Sequence, residues 1–290
     1  MDLFIQLTLT GLTNGAILAL AALGFVLIYK SSDVINFAQG EFLLIGAYVL
    51  FAMLVQFHLH WTIGLILTLV VAVGVGVAVE RLVLRPLIGE PIISVIMATI
   101  GLSSLLRAIV STIWGNQPRA FPPFIPSKPV HILGATVGAD RLWAIAIAVV
   151  MLFLFNLFFT RSKEGIAMRA VADDQQAAMS MGISVKHIFA WAWSIAAATA
   201  AIGGALVANI VGVGPELAGF GLRVFPVVIL GGLDSIPGAI VGGLIIGLLE
   251  AYVGGYLGMG LNQVISFIVL IIILMVRPYG LFGQEIIERV

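Results

Sequence analysis

Few side chains here could do covalent chemistry, and none are spaced to do it. There are no cysteines, so thiol catalysis, disulfides and thiolate metal sites are excluded. The four histidines, His58, His60, His131 and His187, are too scattered to form a metal cluster; His58 and His60 are the one near pair, expected at the edge of an apolar segment. Gly101-Leu102-Ser103-Ser104 resembles a nucleophile turn but lacks the closing glycine and a histidine placed to serve it. No GxxxxGK[ST] or HExxH pattern occurs, so the chain carries no phosphate-binding loop and no zinc-protease helix. The expectation is a protein without catalytic, metal or cofactor residues of its own.

The remaining polar residues sit inside apolar segments, where they are costly unless they face protein or water. Gln6, Thr10, Thr13 and Asn14 fall on one face of the first segment. That face could hydrogen-bond between helices or line a solute path. Thr99, Ser103, Arg107 and Ser111 repeat the pattern at steps of four. Arg107 either reaches to the membrane interface or needs a buried partner, for which Glu250 is the candidate. Two turns interrupt the apolar pattern, Ser31 to Glu41 and Gly231 to Gly238. Irregular backbone at membrane depth is tolerated only against protein or water, so both could sit at a gate or be plain surface turns. Gln6, Thr10, Asn14, Asn36, Gln39 and Ser103 are the candidate path residues.

Lipid must be the solvent of the elements that hold these residues. Of 290 residues, 61% are hydrophobic and 10% charged, against about 25% charged in soluble domains. Mean hydropathy is +1.17. Net charge is zero, and nothing points to nucleic acid as a partner. The N-terminus lacks the basic and small-residue features of a cleaved signal and reads as a first permanent span. Segments 3–28, 41–57, 61–79, 92–113, 142–160, 188–211, 219–232, 237–254 and 261–276 are apolar, near the roughly 20 residues a span needs. The expected fold is all-α, a single polytopic transmembrane helix bundle over 1–290. It has about nine spans (eight to ten); the seventh and eighth as one broken helix give the count of eight. Arg-Pro follows the apolar runs at both Arg85-Pro86 and Arg277-Pro278, a hint of the internal repeat common in transporters. Gly238, Gly242, Gly243, Gly247 and the ladder Ala196, Ala200, Gly204, Ala208 predict close helix packing.

Basic residues orient the bundle. Arg81, Arg85, Arg161, Lys163, Arg169, Lys186, Arg277 and Arg289 mark cytoplasmic connections, which nine spans accommodate and eight do not. Segment 114–141 must then lie outside despite Arg119, Lys128 and Arg141. Its prolines at 118, 122, 123, 126 and 129 cannot continue a helix. It reads as an ordered cap, either a connector or a docking surface for an external partner. Segment 161–187 reads as a cytoplasmic helix. Ala167, Ala170, Val171, Ala178 and Met181 share a small apolar face closed by Gly182. Such a face suits a partner's groove better than lipid, which favours bulkier side chains.

Four stretches together carry a family resemblance: Asn36 to Phe42, Glu164 to Ile183, Leu230 to Gly238, and Arg277-Pro278-Tyr279-Gly280-Leu281-Phe282-Gly283. Along nearly its full length the chain resembles the LivH-type permease of the branched-chain amino acid ABC transport system. The resemblance implies a multi-pass subunit of the bacterial cytoplasmic (inner) membrane. Its partners would be a second homologous permease, two ABC ATPase subunits that hold ATP and Mg, and a periplasmic solute-binding protein. It implies ATP-driven inward transport, with coupling through Glu164, Gly165, Arg169, Ala170, Asp173, Ala178, Met181 and Gly182. Permeases for urea and short-chain amides look similar, so solute identity stays open at this point, and an ion-coupled secondary transporter is the further alternative.

Overall fold

The computed structural model describes residues 2–132, 134–258 and 260–283. Each of the nine apolar segments forms a helix. They are α1 (Asp2–Ser32), α2 (Gln39–Phe51), α3 (Trp61–Val79), α4 (Ile92–Trp114), α5 (Ala139–Arg161), α8 (Val185–Val211), α9 (Gly219–Gly231), α10 (Ile236–Tyr256) and α11 (Asn262–Val276). α2 and α3 each continue into a wider, π-helical turn, Ala52–Gln56 and Glu80–Leu84. Among the described residues seven helices are long and apolar enough to cross a membrane; α9 and α11, of 13 and 15 residues, are shorter.

The ends of the bundle are chemically distinct. At one end Asp2 of α1 lies beside Gly134, and Arg141 of α5 donates to Thr10. At the other, Lys30, Arg169, Asp234 and Phe282 surround one cavity. The described residues therefore run from one end of the bundle at Asp2 to the other at Phe282, as an odd number of crossings would give. α9 and α10 do not merge into one broken helix. They form an antiparallel pair in which Gly231 meets Gly238 and Gly242 meets Val227. Arg289, one of the basic residues of the tail, lies outside the described residues.

α1 and α8 are the buried spine. From Gly15 to Ile28 α1 is apolar all round, as a helix enclosed by others must be. Gly11 and Gly15 admit the backbone of α10 at Gly243, Gly247 and Leu248. Gly204 of α8 meets Leu43, and Ala201 meets Gly46 of α2. The small-residue ladders thus bring backbones together as the sequence indicates. α3, α4 and α5 bury only narrow stripes, such as Val95, Thr99, Leu102, Leu106 and Val110 on α4. Their other faces are wide and mainly apolar, as lipid contact requires, except over the second half of α4, where Ser103, Ser104, Arg107 and Ser111 lie outward.

The described part of segment 114–141 adds a feature the all-α expectation omits. β1 (Pro129–Ile132) and β2 (Ala135–Gly138) form an antiparallel hairpin with Val130 opposite Val137. The pairing satisfies backbone groups that the prolines deny to a helix.

Segment 161–187 is not one helix. It splits into α6 (Lys163–Asp173) and α7 (Gln175–Ser180). Ser162 caps α6 through the Gly165 N–H, and Asp174 caps α7 through the Gln176 and Ala177 N–H groups. Asp174 is extended, so residues on either side cannot share one continuous face.

Candidate functional site

Two junctions interrupt the bundle. In the first, α1 ends at Ser32, Asp33 takes a left-handed turn (φ 53°), and 33–38 fold back into the bundle before α2 begins. The Gln39 amide donates to the carbonyls of Ala21 on α1 (3.1 Å) and Ala196 on α8 (3.5 Å). Ala21 is about 16 Å back from the end of α1 at 1.5 Å per residue, so α2 starts deep inside. The exposed backbone is satisfied by side chains. Asn36 accepts from the Ala38 N–H (3.0 Å), and the Thr99 hydroxyl donates to Ile35 O (3.2 Å) and accepts from the Phe37 N–H (3.4 Å). That is the condition for irregular backbone at depth.

The second junction, 212–218, lies between α8 and α9. Arg119 and Val213 exchange both backbone hydrogen bonds, and the Asn209 carbonyl accepts from Phe124 (3.0 Å) and Ile125 (3.1 Å). The 114–141 segment therefore serves as its lid. The two junctions meet where Gly40 and Gly221 pass so closely that a Cβ on Gly40 would lie 2.7 Å from the Gly221 Cα. Both glycines are required there by proximity.

Each junction carries an ion pair. Glu41, in the first turn of α2, is buried, and Arg107 of α4 donates to it at 2.6 Å. Arg223 of α9 holds Glu250 of α10 through both oxygens, and the Ser266 hydroxyl of α11 donates to Glu250 at 2.7 Å. Arg107 thus pairs with Glu41 and not with Glu250, because the fold-back of 33–38 brings the first turn of α2 beside α4. The Arg107 side chain remains 49% exposed, against 14% for Arg223. Arg107, Ser103, Ser104, Ala108, Ser111 and Asn116 line an open groove along α4.

Of the candidate path residues, Asn36 and Gln39 meet, the Asn36 amide donating to the Gln39 carbonyl at 3.3 Å, and the others lie apart. Gln6 lines a groove beside the start of α1 with Ser127, Asp140 and Arg141; Thr10 accepts from Arg141, and Asn14 is half-buried. Asn36 and Gln39 are sealed in the core. Ser103 belongs to the α4 groove. Of the two interrupted turns, 33–38 enters the bundle. The 231–238 turn stays at the end, where the Lys30 ammonium donates to Asp234 O at 3.3 Å. Leu281 and Phe282 N–H groups donate to Leu230 and Gly231 carbonyls (2.8 and 3.0 Å). Two motifs far apart in sequence thus form one unit.

On α6 and α7 the expected docking face divides. Met168, Val171 and Ala178 are buried within the subunit, and Gly165 admits the carbonyls of Phe158 and Phe159. Arg169 turns inward to Thr160 O (3.2 Å), stacking on Phe159, while Glu164, Ala167 and Ala170 are half-buried. Ile166, Asp173, Met179, Met181 and Gly182 are exposed. The small side chains face the permease itself, and the outward apolar residues are long ones. Between α7 and the first junction lies a cavity of about 220 Å³ lined by Asp33, Glu90, Gln175, Phe189 and Trp193. Burial raises the Asp33 carboxyl above its ordinary value.

Short helices that start inside a helical bundle, beside ion pairs with buried glutamates, are an architecture of polytopic transporters. The profile of the branched-chain amino acid transport system / permease component family matches residues 7–274. The chain belongs to that family. It is similar to the high-affinity branched-chain amino acid transport system permease protein LivH of Escherichia coli K12, at 33% identity over 99% of this chain and 98% of that one. It is likewise similar to BraD of Pseudomonas aeruginosa, at 31% over 99% and 98%. A probable LivH of Methanocaldococcus jannaschii is 30% identical over 93% of this chain and 89% of that one. No solved structure matches.

Proposed function

We propose that this chain is one permease subunit of an ATP-driven importer of branched-chain amino acids. The carrying observation is the full-length similarity to permeases named for that transport system. In this reading a second homologous permease completes the path, and two ABC ATPase subunits bind ATP and Mg below it. A periplasmic binding protein delivers solute from above. The protein would reside in the bacterial cytoplasmic membrane, with the α6–α7 end inward by its basic connections Arg81, Arg85, Arg161, Lys163, Arg169 and Lys186.

The chain has no phosphate-binding loop, so energy must enter through contact. Ile166, Met179 and Met181, exposed by 52, 54 and 83%, offer that contact. α6 packs on α1, α5 and α8, so a push on it reaches the spine that carries both junctions. ATP-driven closure below would rock the bundle and alternate access to the path. The test is co-purification of the ATPase subunits with the permease carrying Met181→Asp. Loss of roughly tenfold or more in ATPase retention, with the permease folded and paired, is the expected result. Full retention with normal uptake would overturn this placement of the contact.

A further inference from the structure

From the exposed guanidinium at the first junction, we infer that Arg107 is the residue that receives the carboxylate of the solute, with Glu41 as its positioning partner. The inference rests on the amino-acid-importer reading above. α4 is a 23-residue apolar helix, and a charged side chain within such a span is costly unless water or protein receives it. Lipid contact is already supplied by another sector of the helix, where Leu105, Ile109 and Ile113 are exposed. In the half of α4 that follows Gly101 the groove sector is different: Ser103, Ser104, Arg107 and Ser111, with Asn116 just past the helix, are polar, beside Ala108. That division over the second half of α4 points to a face toward water.

Arg107 has the chemistry for the task. It gives one described hydrogen bond, to Glu41, out of five N–H donors on a planar fork that matches a carboxylate. Glu41 holds the guanidinium from behind. Glu41 is itself stabilised by its place in the first turn of α2, because a helix N-terminus favours an anion. It stays satisfied when Arg107 shares its donors with a solute. The second pair lacks this freedom. Arg223 spends two nitrogens on Glu250 and stacks on Phe220 at 4.5 Å. A zwitterion also suits the first site, because it can enter beside an ion pair without leaving net charge behind. A net-charged solute cannot.

The test is the whole transporter in proteoliposomes, with leucine carried by its binding protein. Leucine moved per ATP hydrolysed is read alongside ATPase stimulation by the loaded binding protein. Arg107→Gln should lower the transport-to-ATP ratio roughly ten- to hundredfold, the range for a lost hydrogen bond to a charged group. Assembly and stimulation should stay near wild type. Arg107→Lys should recover part of the ratio. The double variant Arg107→Gln/Glu41→Gln, which leaves no unpaired charge, should show the same defect. An unchanged ratio, or loss of assembly in both variants, would overturn the inference. A wild-type complex that imports another carboxylate solute would refute the branched-chain reading alone, and Arg107 stands if the defect follows that solute. Import only of solutes without a carboxylate would refute both.

Discussion

The two junctions use the same parts to different ends. Each pairs a buried glutamate with an arginine, and each has its backbone satisfied by a neighbouring segment. At the first, the carboxylate sits on a helix N-terminus that favours it and the arginine reaches an open groove. At the second, Glu250 holds the arginine with both oxygens, the Phe220 ring covers the guanidinium, and the Ser266 hydroxyl donates to Glu250. The lesson is that an intramembrane ion pair becomes available to a ligand when one partner is stabilised independently of the other.

The largest expected effect falls where the junctions touch. Gly40→Val and Gly221→Val would each drive side-chain atoms into the facing backbone. Overpacking of this kind costs at least about 3 kcal/mol when the obstacle cannot move. Yield of monodisperse protein in detergent should collapse for both, and normal yield would mean the close approach is unnecessary.

Next come the ion pairs. Arg223→Gln strands Glu250 and should cost about 3–5 kcal/mol of stability, the range for breaking a buried pair. Arg107→Gln should cost only about 1 kcal/mol, because its guanidinium is half exposed. Thermal unfolding in detergent compares them, and equal losses would erase the distinction. Arg223→Gln/Glu250→Gln should be milder than Arg223→Gln alone.

A smaller loss is expected at the lid. Asn209→Ala leaves the Phe124 and Ile125 N–H groups without their acceptor, for about 1–3 kcal/mol. Limited proteolysis within 114–141 should accelerate, while cleavage at the α6–α7 end should not. The smallest effect belongs to Gly182→Ala. Its φ of 83° strains an added Cβ, yet no atom stands within 4 Å, so roughly 1–2 kcal/mol of local strain is expected. It should slightly alter melting temperature and leave the junctions untouched.

The helices were legible in sequence because an apolar run of span length has few alternatives. Segment 92–113 became Ile92–Trp114, and 188–211 became Val185–Val211. The start of α2 inside the bundle was not legible, because Asn36 and Gln39 bond to residues far along the chain. Nor was the pairing of Arg107. Spacing identifies a charge that needs a partner but cannot choose between Glu41 and Glu250. The division of 161–187 did leave a signal. Asp174 before Gln175-Gln176-Ala177 is an N-cap pattern, outweighed in the sequence reading by the run of small residues around it. The hairpin at 129–138 left little, because its strands are four residues long and one begins with proline.

Whether the α4 groove faces water while the second junction is sealed can be measured directly, since the chain has no cysteine of its own. Ser104→Cys and Ser266→Cys are placed singly in the assembled transporter and treated with a small, charged, water-soluble thiol reagent. The account predicts that Ser104→Cys is modified, that turnover with leucine slows the modification, and that Ser266→Cys, fully buried beside Glu250, stays unmodified. Equal reactivity at both positions, or an inert Ser104→Cys, would contradict it.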